Sequence, residues 1–403
     1  MKEAAAAASE PLAIEPFTID VSDAVLVDLQ ERLRRTRFPE PLPGAGWEYG
    51  TDRDYLRSLV AYWSEGYDWR TREAAFNELP HFLAEIDGER VHFLHIRSPE
   101  PDARPIILTH GWPGSFVEFL EVIGPLTDPV AHGGDAADAF HVVLPSLPGY
   151  AFSGPTRQTG VHLGRVARMW AELMAALGYD RYFAQGGDWG SFVTALLARC
   201  DPEHCAAIHL NMITPLPAQA AELWTPEEQV FMEQLNRASV AEGAGYLQIQ
   251  GTRPHTVGYA LEDSPAGLAA WIVEKFREWS DCDGDVERSF TKDQLIDNLM
   301  VYWATGTATS SARTYYEFFH GLGSGDLDVF SRVEVPTGYA RYPREIMRTS
   351  RRWADEGFNI VHFADQPRGG HFAAFEVPEL FVPDVRECFR PLRGAKPSGE
   401  AVR

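Results

Sequence analysis

The residues with the most chemical promise lie in Gln185-Gly186-Gly187-Asp188-Trp189-Gly190-Ser191, between an apolar stretch of strand type and a helical pattern. Small residues two positions either side of a central side chain let a chain turn sharply from strand into helix, exposing that side chain at the crest of a nucleophile elbow. An isolated aspartate after a strand more often caps the following helix. Here Gly186 and Gly190 favour the elbow. A carboxylate that attacks an ester or amide forms an adduct that expels the carboxylate again. At saturated carbon it forms a stable alkyl ester and divides one difficult hydrolysis into two steps. The expected electrophile is therefore an epoxide, or a haloalkane or haloacid, and serine-type hydrolysis is disfavoured.

A second segment, His110-Gly111-Trp112-Pro113-Gly114-Ser115, follows the strand-like run PIILT. Glycine- and proline-containing turns are common after strands, but a turn here, upstream of an elbow, offers a backbone N–H to an oxyanion. The residue after the nucleophile supplies the other N–H. Trp112 and Trp189 are the expected oxyanion-hole residues, and their side chains, with Tyr316, are candidate substrate contacts. A base belongs late in the chain, after the last strand, and His371 alone among 13 histidines lies there, in Arg368-Gly369-Gly370-His371-Phe372. The two glycines suggest flexible backbone around it. Its orienting acid is expected after the preceding strand, where Glu345 competes with Asp365 and Glu334. If the substrate is an epoxide, the developing alkoxide needs a proton, which a neutral tyrosine can donate. Tyr246 and Tyr315 are the candidates, with Tyr316 adjacent.

Positioning these groups requires a sheet with helices on both faces. Strand patterns at 91–96, 106–109, 141–145, 182–185 and 206–210 alternate with helical ones at 117–123, 163–177 and 191–200. After Pro215 the alternation gives way to about a hundred residues of helical, Trp- and Tyr-rich sequence. Strand patterns resume at 336–340 and 359–364, followed by a helix near 382–389. The expected organisation is a flexible start (1–15), a helical lead-in (16–80), a first core part (81–214), a cap (215–325), a second core part (326–392) and a flexible tail (393–403). The fold class is α/β.

Lys and Arg total 36 against 58 Asp plus Glu, so the surface, at a formal charge of −22, repels nucleic acid and anionic lipid. The start, MKEAAAAASEPLAIEP, has neither a leucine-rich signal core nor a membrane span. A cytoplasmic protein without membrane partners is expected. Cys200, Cys205, Cys282 and Cys388 lack zinc-site spacing and are expected as buried free thiols. No HExxH, phosphate loop or dinucleotide fingerprint calls for a metal or cofactor.

Taken together, these motifs resemble the microsomal-type epoxide hydrolase family. The resemblance runs through PFTIDVSDAVLVDLQERLRRTRFPE, HGWPGSFVEFLEVIGPL, GGDWGS, QGTRPHTVGYALEDSPAGLAAWIVEKF, YWATGT and GGHFAAFE. It implies an α/β-hydrolase core with a mostly parallel sheet, an inserted helical cap and an N-terminal lead-in. It further implies Asp188 as nucleophile, His371 as water-activating base, Glu345 as its partner through RYPREIM, and Tyr246 with Tyr315 as paired acids. The implied ligand is a small-molecule epoxide, in detoxification or in secondary metabolism such as enediyne antibiotic biosynthesis, with a homodimer as the self-association considered. A dehalogenase and a non-catalytic binding protein on the same fold are the competing readings.

Overall fold

The structure, a computed structural model, describes residues 12–214, 221–239 and 242–393. Among the described residues, nine strands form one sheet: β1 Ile14–Phe17, β2 His81–Ile86, β3 Glu89–Ile96, β4 Arg104–Thr109, β5 Phe140–Pro145, β6 Tyr182–Gly186, β7 Cys205–Leu210, β8 Val333–Arg341 and β9 Phe358–Asp365. Their order is β1-β2-β3-β5-β4-β6-β7-β8-β9. From β5 to β9 every neighbouring pair is parallel, and β1, β2 and β3 extend the sheet antiparallel at one edge. Successive strand residues face opposite sides. Because all of 105–109 in β4 are buried, helices must cover both faces, which is why this strand reads as a continuous apolar run. Helices Leu163–Ala176 and Trp189–Cys200 pack on each other and on the sheet, as do Leu120–Thr127 and Pro378–Phe389.

The lead-in departs from expectation. It opens with β1, so strand structure begins at Ile14, inside the stretch expected to be flexible; 1–11 and 394–403 lie outside the described residues. Pro16 is tolerated because β1 is an edge strand. Three helices follow, Asp23–Arg34, Arg53–Glu65 and Trp69–Phe76, and they clasp the cap as well as the core. Buried Asp297, in the cap, accepts from Tyr67 Oη at 2.8 Å and from Arg72 Nε at 2.9 Å. On the core side, the Phe76 ring meets Phe116 edge-on at 5.8 Å.

Between β7 and β8 the chain leaves the sheet for the cap, whose helices are Pro226–Ser239, Gly245–Thr252, Pro254–Asp263, Pro265–Trp279, Lys292–Thr305 and Ala308–Ser324. The expected cap start at 215 lies outside the described residues. Cys205, Cys282 and Cys388 are buried, but Cys200 is exposed at the last position of its helix, where the chain turns outward. Among the described residues, no helix is long and apolar enough to cross a membrane.

Candidate active site

β6 ends at Gly186 and the next helix begins at Trp189, leaving Asp188 at the crest with φ 50° and ψ −128°. Such a conformation costs about 1–3 kcal/mol and persists only where its surroundings over-determine it. The surroundings here are backbone. A Cβ at Gly186 would strike the Gly190 carbonyl, and one at Gly190 would strike the Thr109 carbonyl at the end of β4. The Asp188 side chain makes no capping bond to the helix, which removes the capping alternative. Instead its Oδ1 accepts the Trp112 amide at 2.8 Å. Trp189 opens the helix, whose first N–H groups have no intrahelical acceptor.

His371 faces the other carboxylate oxygen, with Nε2 3.2 Å from Asp188 Oδ2, although this approach lacks hydrogen-bond alignment. Its Nδ1 lies 2.8 Å from Glu345 Oε1, which also accepts the amides of Ile346 at 2.6 Å and Met347 at 3.3 Å. The acid is thereby decided. Asp365 and Glu334 are exposed and pair with Arg341 and Arg332, whereas Glu345 is buried. Burial disfavours a charged imidazole, but the Glu345 charge and the contacts with Asp188 outweigh it and hold His371 well above its usual value. The Gly369-Gly370 pair serves close approach more than flexibility. A Cβ at Gly370 would meet the Trp279 carbonyl 2.5 Å away, and the His371 amide donates to that carbonyl at 2.9 Å. The base is thus docked onto the end of cap helix Pro265–Trp279.

Aromatic rings roof the nucleophile. Tyr246 stacks on Trp112 with centroids 5.2 Å apart, and Tyr315 meets Trp189 edge-on at 4.7 Å. The two tyrosine rings are 5.7 Å apart. Burial, then the Asp188 charge, raises the Tyr246 hydroxyl above its ordinary value; burial, then Tyr246 and Asp188, does the same for Tyr315. Both therefore remain proton donors at neutral pH. Tyr316 is not brought to the site. One residue along its helix from Tyr315, it points to another face and stacks on His320 at 3.7 Å.

Two cavities adjoin these residues. A space of about 830 Å³ between core and cap is lined by Trp189, Phe192, Met212, Leu247 and Phe318 among others. A second, of only about 10 Å³, is lined by Asp188, His371, His110, Glu118, Gln185 and Asn211. Sequence reasoning missed Glu118, whose signal was an acid flanked by apolar residues in SFVEFL just after the Trp112 turn, and Trp279, whose ring lies 5.1 Å from that of His371.

Comparison with known proteins gives the family and the fold. Residues 14–119 match the family model described as the epoxide hydrolase N terminus, and 104–239 match that of the alpha/beta hydrolase fold. A putative epoxide hydrolase from Stigmatella aurantiaca is 48% identical over 94% of this chain and 86% of its own length. Epoxide hydrolase 1 of Sus scrofa is 37% identical over 94% of this chain and 89% of its own. The crystal structure of juvenile hormone epoxide hydrolase from Bombyx mori superposes with a TM-score of 0.87 at 35% identity, covering 95% of both chains. On this evidence, the chain belongs to the microsomal-type epoxide hydrolase family and is an enzyme of the α/β-hydrolase fold.

Proposed function

We propose that the enzyme converts an epoxide to a vicinal diol through a covalent ester on Asp188. Tyr246 and Tyr315 bind the oxirane oxygen while an Asp188 oxygen displaces it from a ring carbon from behind, and a tyrosine proton passes to the alkoxide as the C–O bond breaks. His371 then takes a proton from water, whose oxygen bonds to the Asp188 carbonyl carbon. The tetrahedral adduct, its oxyanion held by the amides of Trp112 and Trp189, expels the diol oxygen, to which His371 returns the water proton; the remaining proton of the Asp188 carboxyl goes to the tyrosinate, so carboxylate and tyrosine are both restored. The observation that carries this reading is the division of labour at Asp188, with Oδ1 bonded by the Trp112 amide and Oδ2 facing His371 Nε2. Ester formation removes the Asp188 charge that helps hold His371 protonated, so the imidazole becomes available as a base at the step that needs one. The 830 Å³ cavity beside Trp189 suits an apolar substituent on the epoxide.

Product analysis with parallel panels of epoxides and haloalkanes tests the function. Diol without halide release is expected. Halide release without diol would replace this reading with a dehalogenase, and binding without any product would make the protein a ligand carrier.

A further inference from the structure

The cavity of about 10 Å³ beside Asp188 has room for about one water molecule. Two buried polar atoms of its lining residues have no hydrogen-bond partner, His371 Nε2 and Gln185 Oε1. A water here is therefore offered several polar neighbours, which is what a buried water needs. Glu118 belongs to the same lining and has no part in the ester route described above. It sits in the short 3-10 turn Phe116–Phe119, after the Trp112 loop, and its carboxyl packs against Gly114, where a Cβ would overlap its Oε1. The glycine of this motif therefore makes room for the acid.

We propose that this cavity holds the hydrolytic water and that Glu118 is a further catalytic residue, accepting one of its hydrogens while His371 Nε2 takes the other. The inference rests on the ester route proposed above. Water has two hydrogens, and His371 removes only one. With the second held by a Glu118 carboxyl oxygen, a lone pair is directed at the Asp188 carbonyl carbon. The new bond is water oxygen to carbon, the bond broken is carbon to the diol oxygen, and the proton resides on His371 until the diol leaves. Burial, opposed by the nearby His371 charge, pushes the Glu118 carboxyl up to about 8, so it keeps its proton at neutral pH and adds no second negative charge beside the oxyanion. Its carbonyl oxygen remains an acceptor. The titratable groups facing it are Asp188, His371, Glu376 and His110.

Because the acid is neutral, glutamine is its isostere and leucine removes the acceptor. Rapid-quench single turnovers with styrene oxide and intact-protein mass spectrometry separate ester formation from ester hydrolysis. The expected result is that Glu118→Leu forms the ester at the wild-type rate but hydrolyses it about 100-fold more slowly, while Glu118→Gln restores hydrolysis. Wild-type hydrolysis in Glu118→Leu overturns the inference. So does equal slowing of both steps, which marks a structural role, or a Glu118→Gln enzyme that is folded and as slow as the leucine variant. Absence of any ester in the wild type would instead overturn the underlying route, and is read without a Glu118 variant.

Discussion

Replacing Glu345 by glutamine should trap the covalent intermediate. Glu345 Oε1 accepts from His371 Nδ1 and from the amides of Ile346 and Met347. A glutamine carbonyl can take over all three bonds, so the imidazole keeps its orientation. The carboxamide nitrogen then falls where Glu345 Oε2 lies buried without a partner, which should lower stability by about 1–3 kcal/mol without unfolding the chain. What is lost is the charge facing the imidazolium that forms as water is deprotonated. At a charge separation of about 4 Å and an effective dielectric of about 20, that interaction is worth about 4 kcal/mol. The equivalent is about a thousandfold in rate, and it falls on hydrolysis, because attack by Asp188 creates no positive charge on His371. Mixed with excess styrene oxide and quenched at intervals, the variant should show rapid and stoichiometric mass gain followed by very slow diol release. Hydrolysis slowed less than about tenfold, or ester formation slowed as much as hydrolysis, would refute this reasoning.

Three further outcomes follow from the geometry. Tyr246→Phe and Tyr315→Phe should each slow ester formation, by about 100-fold or more in the double variant, with little change in hydrolysis of ester already formed, as read by tryptophan fluorescence of the site in stopped flow. In Asp188→Asn, the His371 imidazole loses a partner that raises its pKa, so NMR titration should find it ionising at lower pH than in the wild type, and an unchanged or higher value would contradict the assignment. Gly190→Ala drives a Cβ into the Thr109 carbonyl and should destabilise the fold by about 3 kcal/mol, visible as a lowered Tm, whereas wild-type stability would show that the elbow is not held by that contact.

Much of the site was legible because the elbow writes itself into residue types: only glycine fits between Asp188 and the end of β4, and only a late loop histidine suits the order of the fold. The acid was less legible, since Glu334, Glu345 and Asp365 all lie within or beside strands, and only folded contacts separate them, Glu345 buried against His371 and the other two paired with arginines at the surface. Tyr316 and Tyr315 are neighbours in sequence but differ by about a hundred degrees around the helix, which composition does not reveal. Two strands escaped notice for related reasons. IEPF contains a proline and HFLAEI a buried histidine, so neither shows clean alternation, and pairing of β1 with β2 and of β2 with β3 supplies the order that local pattern lacks. Glu118 falls within the helical pattern at 117–123, which carries no sign of its surroundings, yet it shares a cavity lining with the nucleophile because the turn that carries it lies directly after the Trp112 loop.

The central claim is that Asp188, not water, makes the first bond to the substrate. A single turnover in oxygen-18 water, with enzyme in excess over styrene oxide, tests it most directly. The account predicts an unlabelled diol and oxygen-18 in the Asp188 carboxylate, located by peptide mass spectrometry. Label in the diol of that first turnover, with Asp188 unlabelled, would show direct attack by water and contradict the account.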